Sequence, residues 1–168
     1  MVRPNAEITD HQLCLTAHRE ESLMPLLDTT LPRFEKCAIV IDDALPTGLA
    51  MNAAAVLALS IGDAYGESAL GPDVKDRDGQ VHQAITEVPL PILKADAQVL
   101  HSIVTKALAE PDVFLVDFTS AAQAARDYGS YMQSMEVTGS QDHVYVGVAV
   151  VGAKKAVQRL SGSLPLYR

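Results

Sequence analysis

The sequence predicts an α/β three-layer sandwich, a mixed sheet with helices on both of its faces. Three observations predict it. Apolar runs of strand length alternate along the chain with helical patterns, the order that builds layered α/β domains. The first run, Cys37–Ile41, is continuously apolar, as expected of a strand covered on both faces. It leads through the acidic turn Asp42-Asp43-Ala44-Leu45-Pro46 into a long apolar helix. Strand-turn-helix units of this kind are where α/β proteins usually place ligands.

The elements follow in order. Residues 1–35 form a polar extension in which Glu7–Leu27 is helix-compatible, and Pro32 closes it before the domain at residues 36–168. After the first strand, Pro46 shapes the turn and Thr47 is placed to cap the helix that starts at Gly48. That helix has almost no polar face, so it is expected between the sheet and a further layer, from this chain or from a second copy. A Gly- and Asp-rich excursion contains a hairpin with its turn at Asp78-Gly79. Val88–Leu93 is the second strand, pushed toward an edge by Pro89 and Pro91. Asp96 caps a helix over Ala97–Ala109 whose apolar stripe is Val99, Leu100, Ile103, Val104, Ala107 and Leu108. Val113–Val116 is a third strand and Thr119–Met135 a single helix. His143–Val151 is a fourth strand, and Lys154–Leu160 a last helix stopped by Gly162.

Composition narrows the function classes. With 48% hydrophobic residues in 168, the chain buries a real core. The run Leu49–Ile61 is too short for a membrane span and is interrupted by Asn52 and Ser60, and Met1–Asn5 lacks the apolar core of a secretory signal. A cytoplasmic location without membrane partners is expected. The net charge of −8 opposes nucleic-acid binding, which needs a basic field; Lys154, Lys155 and Arg159 are the clustered cations. The two cysteines, Cys14 and Cys37, make neither a disulfide framework nor a four-cysteine zinc site, and Cys37 reads as core.

No metal or cofactor is expected. His11, Cys14 and His18 share a helical face, but the span is too long for one zinc sphere. Asp76 and Asp78 open like a calcium loop, yet Gly79 arrives two positions early and Gln80 stands where Asp or Asn is wanted, so a turn is expected. His82 and His101 are isolated, and no GxGxxG or P-loop occurs.

The candidate site is therefore built from polar residues at element ends. Asp42 and Asp43 lie beside the free N–H groups that start the first helix, and they would repel an anion there. Either they mark a site for a neutral, zwitterionic or amine-bearing ligand near Thr47 and Gly48, or they only complement the helix dipole. Asn52, one turn into an apolar helix, either fixes the adjacent loop or faces that ligand. Asp117, Thr119 and Ser120 leave the third strand and either cap the next helix or add an acceptor and two hydroxyls to the same site. Tyr128 and Tyr131, three apart, are neighbours on a helix surface, in the core, in a pocket or at a dimer seam.

Lys36–Gly62, Val88–Ala95, Val116–Thr119 and the tail Tyr145–Leu166 resemble an uncharacterised bacterial family, domain of unknown function two thousand, over residues 34–168. That family is similar to the peptidyl-tRNA hydrolase type II fold, which implies a mixed sheet with helices on both faces and a homodimer. The hydrolases carry a Gly-Lys-Gly-Lys stretch entering the first helix; here Thr47-Gly48-Leu49-Ala50-Met51-Asn52 has no lysine. Asp117 and Thr119 stand as imperfect counterparts of the hydrolases' later Asp and Thr, and Ser161-Gly162-Ser163-Leu164 is similar to their tail. The resemblance thus implies the fold without the catalytic set. The expected function is binding of a small ligand or peptide by Asp42, Asp43, Thr47, Gly48, Asn52, Asp117 and Thr119. The rival is an esterase-like or peptidyl-tRNA hydrolase-like enzyme using Asp117 and Thr119.

Overall fold

A computed structural model of the chain describes residues 31–168. The predicted helix at Glu7–Leu27 and the His11, Cys14, His18 pattern lie outside the described residues. Strand β1 (Lys36–Asp42) lies inside a four-stranded sheet of order β4-β1-β6-β5. Its neighbours are β4 (Ile92–Ala95), parallel to it, and β6 (Tyr145–Gly152), antiparallel; β5 (Val113–Thr119) pairs antiparallel with β6 at the edge. The mixed α/β architecture is the one the sequence predicts. Strand β6 is buried along its whole length, and β1 over Cys37–Ile41, matching their unbroken apolar runs. A separate two-stranded hairpin, β2 (Val74–Lys75) and β3 (Val81–His82), turns at Asp78-Gly79 with Gly79 at φ 87°, as its turn sequence requires.

Two apolar layers flank the sheet. On one face, α1 (Thr47–Tyr65) packs Ala50, Ala53, Ala54, Leu57 and Ile61 on Ile39, Ile41, Ala149 and Val151. On the other, α2 (Ala97–Ala107) and α5 (Lys154–Ser161) bury Leu100, Ile103, Val104 and Val157 against Val40, Val148 and Val150. Gly147 lets α1 come close: a methyl group there would stand 2.9 Å from Ile41 Cδ1 and 3.1 Å from Leu57 Cδ1. Helix α1 with the following 3-10 turn, Thr47–Ala69, is long and apolar enough to cross a membrane by length and composition alone. In this fold its Ala50–Ile61 row is core.

Three local expectations are corrected, and one is left without a covering layer among the described residues. Thr47 does not cap α1; it is the first helical residue, Pro46 holds the cap position and no side chain caps the end. No described residue covers the outer face of α1, where Met51 is 69% and Leu59 76% exposed. The second strand begins at Ile92, after both prolines, because a residue without an N–H cannot join the ladder; the Pro91 carbonyl instead accepts from the Ile39 N–H at 3.1 Å. The single helix expected over Thr119–Met135 is two, α3 (Ser120–Ala124) and α4 (Tyr128–Val137). Each has its own cap. The Thr119 hydroxyl accepts from Ala122 N–H at 3.2 Å, and the Asp127 carboxylate accepts from Ser130 N–H at 2.8 Å. Between them Ala125 is extended.

The edge beside β4 is closed by the C-terminal tail. Lys94 N–H donates to Pro165 O at 3.0 Å and Tyr167 N–H to Ile92 O at 2.9 Å, so the tail supplies the missing ladder partner.

Candidate functional site

Strands β1, β4 and β5 all run opposite to β6, so their C-terminal ends meet at one end of the sheet, together with the start of β6. This topology brings the Asp42–Pro46 turn, Asp96 and the Asp117-Phe118-Thr119 stretch to the same rim. Strand β6 still separates β1 from β5, which puts Asp42 and Asp117 two strand spacings, roughly 10 Å, apart.

At the β5 side of this rim lies a cleft of about 380 Å³. One wall is α1, through Val56 and Ser60; the others are Asp117 and Phe118 of β5, Ala122 of α3, the Ala125–Asp127 link, and Tyr128 and Tyr131 of α4. The break between α3 and α4 creates it, because a continuous helix would carry Arg126 and Asp127 away on a straight cylinder. Alternation along β5 sends Phe114, Val116 and Phe118 into the α1 layer and Val113 and Leu115 into the α2 and α5 layer. Asp117, at the exposed edge of the sheet, borders both the cleft and the ring of Tyr145.

The cleft's electrostatics centre on Asp117. Partial burial pushes its carboxyl above the ordinary carboxylate value, and the nearby His143 only partly offsets that. Its charge in turn helps burial raise the Tyr131 and Tyr145 hydroxyls. No hydrogen bond or ion pair reaches the Asp117 carboxylate or the Arg126 guanidinium from the described residues. Tyr128 and Tyr131 stack edge to face, with ring centroids 5.5 Å apart, and complete an aromatic wall. A partly desolvated acid, a guanidinium with no partner among the described residues and aromatic rings share one concave surface, the make-up expected of a binding or catalytic site.

The predicted site residues divide between this cleft and elsewhere. Asp117 lines it. Thr119 is buried and committed to capping α3, so its hydroxyl already has a partner. Asp42 accepts from the Ala44 N–H at 3.0 Å, Asp43 N–H donates to Ala95 O at 3.0 Å, and the Tyr167 hydroxyl donates to Leu45 O at 3.4 Å, so the acidic turn is tied within the chain. Asp43, Thr47, Gly48 and Asn52 are exposed and none of them lines the cleft. Asn52 does precede Val56 and Ser60 on one stripe of α1, each four residues on. Tyr128 and Tyr131 line the cleft. Sequence reading missed Arg126 and the neighbour His143. A signal for the first existed: Asp127 followed by Gly129 and Ser130 is a cap-and-restart pattern inside the expected helix. The position of His143 depends on strand register and had none.

Among nucleophile types, the Cys37 thiol is buried and pushed up to about 12, and the Ser60 hydroxyl donates to Val56 O at 3.1 Å. Neither is paired with a base among the described residues.

Fold and cleft together define an α/β sandwich domain with an acidic, aromatic pocket at one sheet end. The chain belongs to the family described as protein of unknown function (DUF2000), whose model matches residues 35–168. Its fold is similar to that of a solved structure, the protein of unknown function Atu0240 from Agrobacterium tumefaciens strain C58. The TM-score is 0.70 at 20% identity, over 79% of this chain and 97% of that one. A search of the curated proteins found no match.

Proposed function

We propose that this domain binds a small zwitterion, of amino-acid or short-peptide type, in the cleft beside Asp117. The observation that carries the reading is a carboxylate, Asp117, and a guanidinium, Arg126, on the lining of one 380 Å³ cleft, neither hydrogen-bonded nor ion-paired among the described residues. Asp117 would take an ammonium group and Arg126 a carboxylate by a forked hydrogen bond, while Tyr128 and Tyr131 offer faces to the body of the ligand. This reading prefers the β5 end to the Asp42–Gly48 turn and narrows the neutral, zwitterionic or amine-bearing ligand expected of the sequence to a zwitterion.

Three probes with one aromatic body separate the charge requirements: phenylalanine, phenethylamine and phenylpropionate. Calorimetric titration is expected to rank phenylalanine first and phenylpropionate last, with Asp117→Asn abolishing the preference for the two amines. The reading fails if none of the three binds saturably, or if phenylpropionate binds best.

A hydrolytic reading rests on the place of Asp117 on the cleft lining, where partial burial raises its carboxyl above the ordinary carboxylate value, the direction that suits a general base. It requires Asp117 to activate water, because no described serine or cysteine is paired with a base. Cleavage of peptidyl-tRNA or of a nitrophenyl ester that Asp117→Asn abolishes, with folding intact, would favour it. Absence of turnover on both would remove it.

A further inference from the structure

A second cavity, of about 420 Å³, opens on the α2 side of the same sheet end and shares no lining residue with the cleft. Its walls are Gln98 and His101 of α2, Gln141, His143 and Val144 of the loop before β6, and Tyr145. The Tyr145 ring is buried at its floor, with the His101 ring 5.8 Å and the His143 ring 6.2 Å away, tilted by 56° and 53°. The amides of Gln98 and Gln141 make no hydrogen bond with any described residue.

This set of groups selects a ligand class. Neither a carboxylate nor a lysine or arginine lines the cavity, and the Asp117 carboxylate that acts on Tyr145 and His143 does so from outside the lining, which favours an uncharged group. Aromatic faces favour a flat ring, because stacking is available to any π system and discriminates little among them. A free primary amide presents a donor beside an acceptor, which matches the paired donor and acceptor on the edge of a nucleobase. The chain's net charge of −8 disfavours added phosphates. We propose that this cavity binds an uncharged planar heterocycle with a donor-acceptor edge, of the nucleobase or nucleoside class. The half-buried His101 and His143 rings, backed by the buried Tyr145, offer the stacking surface, and Gln98 and Gln141 read the heterocycle's edge. The cavity shares no lining residue with the zwitterion cleft, although Asp117 of that cleft acts electrostatically on Tyr145 and His143.

The test uses the full chain and adenosine, guanosine, cytidine and uridine as probes, followed through the imidazole C2–H proton signals. At least one nucleoside is expected to shift the His101 and His143 signals saturably while leaving His82, on the hairpin, in place. Its monophosphate is expected to bind no more tightly. Gln98 and Gln141 are exposed, so Gln98→Ala with Gln141→Ala leaves the fold intact and is expected to weaken binding by about tenfold or more. The proposal is overturned if no nucleoside shifts the two histidines at millimolar concentration. It is equally overturned if the glutamine variant binds as tightly as the parent, or if tighter binding of the monophosphate shows that a phosphate is what is recognised.

Discussion

Helix α1 sets one wall of the cleft, and its seat on the sheet depends on a complementary pair, Leu57 and Gly147. Leu57 is fully buried and its Cδ1 would lie 3.1 Å from a methyl placed on Gly147. In Leu57→Ala the void opens onto bare strand backbone, since Gly147 has no side chain to move into it, and sheet backbone relaxes little. The cost therefore falls in the upper half of the usual range for such truncations, about 3–5 kcal/mol. Gly147→Ala alone forces its new methyl against Ile41 and Leu57 and costs ~1–3 kcal/mol through overpacking. Combined, the methyl occupies part of the void left by the leucine and its 3.1 Å contact with Leu57 is gone, while the 2.9 Å contact with Ile41 Cδ1 remains. The double variant is then more stable than the sum of the single losses by about 1–2 kcal/mol. Urea unfolding followed by far-UV circular dichroism, with equal slopes across the four proteins, measures this coupling. Single losses that add to within ~0.5 kcal/mol would show that the two residues do not share a space, and would refute the packing account.

Three further outcomes follow from the same structure. Burial raises the Asp117 carboxyl above 3.8 in the folded state, so in the window just above 3.8 the folded chain holds more protons than the unfolded one and stability falls as pH rises through it. Asp117→Asn lacks that fall; it is expected to be more stable than the parent at pH 7, with the gap closing below pH 3.8, and a less stable variant at pH 7 would contradict the assignment. Asp127→Ala removes the cap that restarts the chain as α4 and is expected to cost about 1 kcal/mol in chemical unfolding; an unchanged midpoint would mean that the cap is not what restarts the helix. The Cys37 thiol, buried and raised to about 12, is expected to resist iodoacetamide at pH 8 in the native protein and to react once urea unfolds it, read by mass spectrometry of its peptide; rapid native labelling would contradict its burial.

How far the sequence reveals this molecule depends on the range of the interactions involved. Strands β1 and β6 are legible because continuous apolar runs have one natural home, the middle of a covered sheet. Asp96 is legible as a cap because capping is settled within four residues, and the Asp78-Gly79 hairpin for the same reason. The α3–α4 break was obscured by an apolar stripe, Ala121 to Met135, whose spacing suits one helix, while the caps that divide it are local hydrogen bonds stronger than that periodicity. The candidate site was legible in part. Asp117, Tyr128 and Tyr131 stand out by residue type, but the turn at Asp42 competes with them on equal terms until the strand order is known. Strand β6 entering between β1 and β5 is what separates the two, and it also brings His143 toward Asp117 from a distant part of the sequence. Thr119 shows a different limit. Its hydroxyl suits a site by type, and only the geometry shows that it is spent on Ala122.

The central claim, that the ligand is held at the β5 end beside Asp117, is tested most directly by backbone amide chemical-shift mapping with phenylalanine as the probe. The account predicts saturable shifts concentrated at Asp117, Phe118 and the Ala125–Tyr131 stretch, lost in Asp117→Asn. Shifts concentrated instead on Asp42–Asn52, or none at saturating phenylalanine, would contradict it.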